Sequence, residues 1–505
     1  MCDELDEKEL ARRLESIKAD RTLLKDINDY CNGRFIQYVL AICGLRRTGK
    51  TILAMRQALN LIRNGKRVTY LQINKDDTKQ MLLDSIHKAA QENSEYVFID
   101  EITYIDGFAR WADCIYNRTV LKGIYCILIG TDSFGLILAS HELLFDRIKP
   151  IRTTYMTYSE YKRITNNNLS EYIRTGGLFG VTDMIKYIDT SIASNIVDSI
   201  NRYDELGYRI LSALEDDELR TVIIKTISRI SIRFIIRVLT RSYNYPEIGS
   251  AKQILEQKFD NYVIENEDKI KAEVYKSLGL NEDLSRFSNN ELSNFMDYLK
   301  TIFKSIDVVI KYDTVSLTFD KEGYITEEEF ILTQPALRFE QTKVYLDVLE
   351  GMDKTYQTLT QTILRDMEGN LIEAVILGET VRVFLGECVN AAGKVYDVFK
   401  FKYVGREIDM VQFNYKTGIL NLYEIKRSSG IIANQYKNLN DIEVLTAVQD
   451  AVRNRNPLSQ GVSGVNKYVL YSGITQAEDI DGVTYVNIAD YLLSLDDRRC
   501  RNGKP

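Results

Sequence analysis

"GLRRTGKT", Gly44 to Thr51, is the stretch on which the fold turns. It fits the pattern G-x-x-x-x-G-K-[ST], and it stands in the context that pattern requires. The apolar run "FIQYVLAIC" (35–43) reads as a strand leading into it. A helical period over 50–63 follows and stops at Asn64-Gly65, a good C-terminal signal. Chemistry explains the spacing. Gly44 and Gly49 let the backbone curl, so that the N–H groups of Arg46, Arg47 and Thr48 can turn inward onto phosphate oxygens. The helix N-terminus adds a favourable potential for an anion. Lys50 is then the residue that reaches the β- and γ-phosphates of ATP, and the Thr51 hydroxyl is a ligand for Mg2+.

Working outward, "KRVTYLQIN" (66–74), "EYVFID" (95–100) and "GIYCILIGT" (123–131) are further buried-type strands separated by helical segments. Such alternation predicts an α/β fold, a parallel sheet with helices on both faces. "VFIDE" ends its strand in Asp100 and Glu101. Beside a phosphate loop, Asp100 is expected to hold the Mg2+ shell and Glu101 to polarise the attacking water. Thr131 or Ser133, at the end of "ILIGTDS", is placed to sense the γ-phosphate. Arg147 in "LLFDRI" is a candidate for sensing or for a contact in trans, with an ordinary surface arginine as the plainer alternative.

The chain resembles a prokaryotic ATPase family in which an AAA-type domain is followed by a winged helix and a C-terminal restriction-endonuclease-like domain. "GLRRTGKT" is similar to that family's phosphate loop, "YIRTGGLFGV" (172–181) to its lid with a double glycine, and "LTQPALRFEQ" (332–341) to its linker into the last domain. The resemblance runs from about residue 30 to 495. It implies a P-loop NTPase (AAA+-like) sheet, a helical lid, a winged helix and a small PD-(D/E)XK unit. The boundaries expected are a helical lead-in (1–30), the ATPase core (31–155), the lid (156–215), a helical and winged-helix region (216–330), the nuclease-like domain (331–495) and a basic tail (496–505).

In the middle region, "RTVIIKTISRISIRFIIRVLTRS" (220–242) carries Lys225, Arg229, Arg233, Arg237 and Arg241 every fourth residue, one slowly drifting stripe on a helix otherwise apolar. The stripe is either the helix's wet face, part of its charge offset by Glu215, Asp216, Asp217 and Glu218, or a face for nucleic-acid phosphates. "SNNELSNFMDYLKTIFKSIDVVIKY" (288–312) resembles the family's recognition helix leading into a wing, but is too poor in basic residues to argue base readout.

The second constellation lies in "GREIDMVQFNYKTGILNLYEIKRS" (405–428). A four-residue loop, Tyr415 to Gly418, would set Asp409 opposite Glu424, with Cβ atoms about 4.5–5.5 Å apart. Two carboxylates at that distance call for a cation between them, and Mg2+ suits a few carboxylates plus water. Lys426 shares the face of Glu424 and could act on a metal-bound water or on phosphate charge; Glu407 shares the face of Asp409 as a spare acid. Taken alone, the pattern better describes a solvated hairpin, with a Glu424–Lys426 pair and Asp409 satisfied by Lys426 or Arg427. Context shifts the balance: Glu373 in the helix "GNLIEAVILGE" (369–379) and Gln435 in the helix after the hairpin complete, with the hairpin, the four elements of the PD-(D/E)XK resemblance. "AV" after Glu373 departs from the family's usual asparagine.

Composition sets the remaining bounds. At 505 residues the chain needs about three units. A net charge of −7 excludes indiscriminate coating of nucleic acid but not a local basic groove. Two histidines and seven cysteines without paired spacing argue against histidine-based chemistry, a zinc site or a disulfide framework. The acidic start and the lack of a long apolar run fit a cytoplasmic protein. The expected function is ATP hydrolysis coupled to a Mg2+-dependent nuclease-like domain acting on DNA, in a chain that could form homo-oligomers. The alternative is a nucleotide-dependent switch whose nuclease-like domain binds nucleic acid or protein without cutting.

Overall fold

A computed structural model describes residues 1–178 except 16, 18, 34–36, 106–107, 109–110 and 132–146. It also describes residues 308–502 except 318–322, 353–356, 386–388, 391–392, 433–434, 456–460 and 476–479, and only scattered positions between 179 and 307. Ser133 and the stripe Lys225, Arg229, Arg233, Arg237 and Arg241 lie outside the described residues, as does most of the winged-helix and lid region.

The first unit contains β1 (Asp3–Glu4), α1 (Glu7–Leu14), α2 (Leu24–Cys31), β2 (Val39–Cys43), α3 (Lys50–Arg63), β3 (Val68–Gln72), α4 (Lys79–Gln91), β4 (Tyr96–Asp100), α5 (Asp113–Arg118), β5 (Tyr125–Gly130) and β6 (Ile148–Arg152). Its six strands run in the order β1-β3-β4-β5-β2-β6, all neighbours parallel except the short edge strand β1. Every residue of β2 and β4 is buried, which is why these strands read as continuous apolar runs. Leu40, Ile42, Phe98 and Ile127 face a layer of α1, α2 and α3, whereas Ala41, Val97, Ile99 and Leu128 face α4 and α5. The lead-in is therefore part of this unit: Leu10, Leu14 and Ile27 are buried in its core, and β1 extends its sheet.

Then come α6 (Tyr158–Thr165), α7 (Leu169–Thr175), β7 (Val309–Leu317), β8 (Tyr324–Leu332), α8 (Pro335–Met352), α9 (Gln357–Leu385), the small hairpin β9 (Val389–Asn390) and β10 (Gly393–Lys394), β11 (Tyr396–Tyr403), β12 (Arg406–Asn414), β13 (Ile419–Lys426), α10 (Ile442–Arg455), β14 (Gly464–Tyr471), β15 (Thr484–Asn487) and α11 (Ile488–Asn502). A seven-stranded mixed sheet has the order β15-β14-β13-β12-β11-β7-β8. Val375, Ile376 and Phe384 of α9 and Leu492 of α11 pack on one side of it with Val398, Met410, Tyr423 and Ile425. Val444, Val448 and Val452 of α10 pack on the other with Phe399, Phe401, Ile408 and Leu422.

Three expectations are corrected here. The hairpin β7–β8, where a wing was expected after 288–312, joins the C-terminal sheet through parallel pairing of β7 with β11. The domain boundary drawn at 330/331 therefore cuts through a hydrogen-bonded sheet. The tail drawn at 496–505 is not separate from the last domain as far as Asn502, because α11 continues to that residue.

Candidate functional site

The phosphate loop leaves the end of β2 as the sequence requires. Gly44 (φ 151°) and Gly49 (φ 86°) adopt backbone conformations that side chains resist, and a Cβ on Gly44 would lie 2.2 Å from Thr153 Oγ1. Thr48 Oγ1 donates to Leu45 O (2.7 Å) and contacts Thr153 Oγ1 (2.7 Å), pinning the loop to the segment after β6. Arg46 and Arg47 are exposed on its rim. Lys50 begins α3, is buried, and donates to Leu45 O at 2.8 Å. Burial pulls its ammonium down to about 8 against the opposing pull of Glu101 and Asp100.

The acids arrive from β4. Thr51 Oγ1 lies 3.3 Å from Asp100 Oδ1, and Tyr70 OH donates to Asp100 Oδ2 at 2.9 Å. Burial pushes the Asp100 carboxyl up to about 6, with Glu101 adding to the rise. A hydroxyl beside a buried carboxyl is a hard oxygen pair suited to Mg2+, and an anion by Lys50 with a cation by Asp100 would return both groups toward their ordinary ionisation. Glu101 has φ 58°, and its Oε2 accepts from Thr131 Oγ1 at 2.6 Å. Because β5 lies between β2 and β4, Thr131 stands between the loop and the acids. These groups share the carboxyl ends of the parallel strands, where open α/β sheets bind ligands.

Arg147 does not join them. Parallel pairing sets Val39 against Ile148 and Cys43 against Arg152, so Arg147 lies at the far end of the sheet, about 15 Å from its own loop at the usual strand rise. Its guanidinium lies over the Tyr116 ring, 5.3 Å from the centroid. The residue that does reach the loop is Arg21, which the sequence reading passed over. Its Nη1 donates to Thr48 O (2.5 Å) and Thr154 O (2.8 Å), and its Nη2 to Glu160 Oε2 on α6 (2.6 Å), with both side chains almost fully buried.

In the C-terminal sheet the hairpin has the register expected of a four-residue loop: Asn414 pairs with Ile419 and Met410 with Tyr423. Asn414 fixes that loop, its Oδ1 accepting from the N–H groups of Lys416 (2.9 Å) and Thr417 (3.2 Å). Pairing stops one step before Asp409 and Glu424. There Asp409 Oδ2 accepts the Ile425 N–H at 2.6 Å, and Lys426 Nζ lies 2.7 Å from Glu424 Oε2 and 3.4 Å from Asp409 Oδ2. Glu424 is 4% exposed, and its Oε1 is buried with no hydrogen-bond partner. Burial pushes its carboxyl up to about 8, Asp409 adds to the rise, and Lys426 opposes it. Burial lowers the Lys426 ammonium, but Asp409 and Glu424 outweigh that and raise it above its ordinary range.

Glu373 on α9 and Glu407 on β12 each lie 3.7 Å from Lys400 Nζ on β11, a lysine the sequence reading missed together with its strand. Burial lowers Lys400, yet Glu373 and Glu407 raise it well above the usual range. Gln435 does not sit in α10 but in the irregular stretch before it. Its Nε2 donates to Ser428 Oγ (2.7 Å) and Gly430 O (3.0 Å), and its Oε1 accepts from Ile432 N (3.1 Å), so it shapes the loop that follows Lys426. Among the described residues, no three His, Cys, Asp or Glu side chains form a ready-made metal cage. The unsatisfied Oε1 of Glu424 next to Asp409 nonetheless fits Mg2+, which keeps most of its waters and takes one or two carboxylates.

A family model described as an AAA domain matches residues 37–162. Among solved structures, AMPPCP-bound DnaA from Aquifex aeolicus is 16% identical over 58% of this chain and 89% of that one, with a TM-score of 0.25. A Walker-type ATPase of Pyrococcus abyssi is 11% identical over 67% and 95% (TM-score 0.25), and the Hsp104–ADP complex of S. cerevisiae 13% identical over 74% and 50% (TM-score 0.26). No curated protein matches the chain. The fold and loop define an AAA-type P-loop ATPase domain, on the strength of the family match and the sheet that carries the loop. No described helix is long and apolar enough to cross a membrane.

Proposed function

We propose that this chain binds and hydrolyses ATP at Lys50, Thr51, Asp100 and Glu101, and that the ATPase drives a Mg2+-dependent nuclease-like domain acting on DNA. One observation carries the second half: Asp409, Glu424 and Lys426 meet where β12 and β13 part, with one buried carboxylate oxygen left for a cation. The order α9, β11, β12, β13, α10, β14 supports reading this unit as a PD-(D/E)XK domain, with Glu373 on its first helix. In this reading Asp409 and Glu424 hold the metal, which supplies Lewis-acid stabilisation of phosphate charge when bound. Lys426 orients water or offsets that charge, and Glu373 and Gln435 support the site.

A run of contacts supports coupling of the two sites. Arg21 ties the phosphate loop to Glu160 on α6, and the first N–H of that helix, on Tyr158, donates to Glu379 Oε1 of α9 at 2.6 Å. Glu373 lies on the same helix, about 9 Å earlier along its axis. A shift of the loop on ATP binding would thus move the helix that bears Glu373. Arg147, exposed at the other end of the sheet, is left for a neighbouring copy of the chain.

A second reading, a nucleotide-dependent switch that binds nucleic acid without cutting, is favoured by the Lys426 ammonium, which sits against both carboxylates and partly neutralises them without a metal. Steady-state ATP hydrolysis with and without DNA tests the common part. Turnover is expected to need Mg2+, to rise with DNA, and to vanish in Lys50→Ala and Glu101→Gln. Turnover unchanged in Lys50→Ala would overturn the ATP site, and indifference to DNA would remove nucleic acid as the partner.

A further inference from the structure

Strand β11 carries a partly buried cation into the C-terminal site that the catalytic reading leaves without a role. Lys400 Nζ is equidistant, at 3.7 Å, from Glu373 Oε2 on α9 and Glu407 Oε1 on β12. Between the pairs Phe399–Val411 and Phe401–Ile408 the register slips by one, so two residues, Asp409 and Met410, oppose Lys400. Bulges of this kind re-aim side chains beside functional sites. Here the bulge sets the lysine next to the strand position from which Asp409 enters the site.

The charges around this point are four carboxylates (Glu373, Glu407, Asp409, Glu424) and two ammoniums (Lys400, Lys426). With all six ionised they leave a net charge of −2, which one divalent cation balances. Lys426 faces Asp409 and Glu424 as well, yet leaves the buried Oε1 of Glu424 without a partner, whereas neither Glu373 nor Glu407, both against Lys400, has a buried oxygen left without one. A cation balancing two anions sits between them, and Lys400 holds that position.

We infer that Lys400 is a built-in cation standing where a second metal would bind, so that the site takes a single divalent ion at Asp409 and Glu424; this rests on the metal-site reading given above. Lys400 is a positioning residue: it holds Glu373 and Glu407 in place and touches neither substrate nor reacting atoms.

The test counts Mn2+ bound to the full-length chain, by the electron-paramagnetic-resonance signal of the free ion, without nucleotide or nucleic acid. An Asp100→Asn background removes the cation position of the phosphate loop. One ion is expected in that background and in Lys400→Arg, and none after Asp409→Asn. Lys400→Met is expected to bind two, and Lys400→Met with Glu373→Gln to return to one. Two ions with Lys400 in place, or one ion in folded Lys400→Met, overturns the inference. Should Lys400→Met not fold, the count in the Lys400 and Lys400→Arg proteins decides: one supports the inference and two overturns it. No ion at all with Asp409 intact overturns the underlying metal reading instead.

Discussion

Replacing Glu424 by Gln should stabilise the metal-free protein, and by more as the pH rises. The side chain is 4% exposed, beside Asp409, and its carboxyl is pushed from an ordinary 4.5 up to about 8. A carboxyl raised by folding contributes stability that is fully present below about 4.5 and is lost as pH rises through about 8. Above that, the folded chain carries a buried charge that the unfolded chain keeps in water. Each pKa unit corresponds to about 1.4 kcal/mol, so the penalty is on the order of 3 kcal/mol at pH 9 after allowance for relaxation. Glutamine keeps an oxygen for Lys426 and carries no charge. At about 2–4 °C per kcal/mol for a domain of this size, Glu424→Gln should unfold on the order of 5–10 °C higher at pH 9 in EDTA. The gap should close toward pH 5. Differential scanning calorimetry at pH 5, 7 and 9 measures this, and added Mg2+ should raise the wild type more than the variant. A variant that is less stable at pH 9, or a gap that does not change with pH, would refute the reasoning.

Two further outcomes follow from the phosphate loop. Arg21→Ala leaves Glu160 as an unpaired buried carboxylate and should cost about 3–5 kcal/mol in thermal unfolding, with part recovered by Glu160→Gln in the same chain and ATP affinity reduced as the Thr48 contact goes. Gly44→Ala sets a Cβ 2.2 Å from Thr153 Oγ1 and 2.4 Å from the Thr153 carbonyl oxygen, and should weaken ATP binding by about 10- to 100-fold in titration calorimetry. Adding Thr153→Ala should not restore it, because the carbonyl clash remains.

The parts legible in the sequence are those set by local patterning. The helix over 50–63, the buried parallel strands and the Asn414 loop that fixes the hairpin register each depend on neighbours within a few residues. What was missed depends on distant packing. Lys400 sits in "YDVFKFKY", where alternation reads as one wet face, and only α9 and β12 turn that face into a partly buried site. Arg21 meets partners at 48, 154 and 160, too far along the chain for any local signal. The hairpin at 309–332 has ordinary strand alternation, and nothing in it says that it pairs with β11 some 80 residues later. Nothing local to "LLFDRI" says where Arg147 lies relative to the phosphate loop; parallel pairing of β2 with β6 sets it at the opposite end of the sheet.

Under the proposed function, Asp409, Glu424 and Lys426 cut phosphodiester bonds under the control of the ATPase. Strand scission of end-labelled DNA with Mg2+, with and without ATP, in wild type, Asp409→Ala and Lys50→Ala, measures it most directly. Mg2+-dependent scission is expected in the wild type, with its loss in Asp409→Ala and loss of the ATP effect in Lys50→Ala. No scission by the wild type across substrates, metals and ATP, or equal scission by Asp409→Ala, would contradict it.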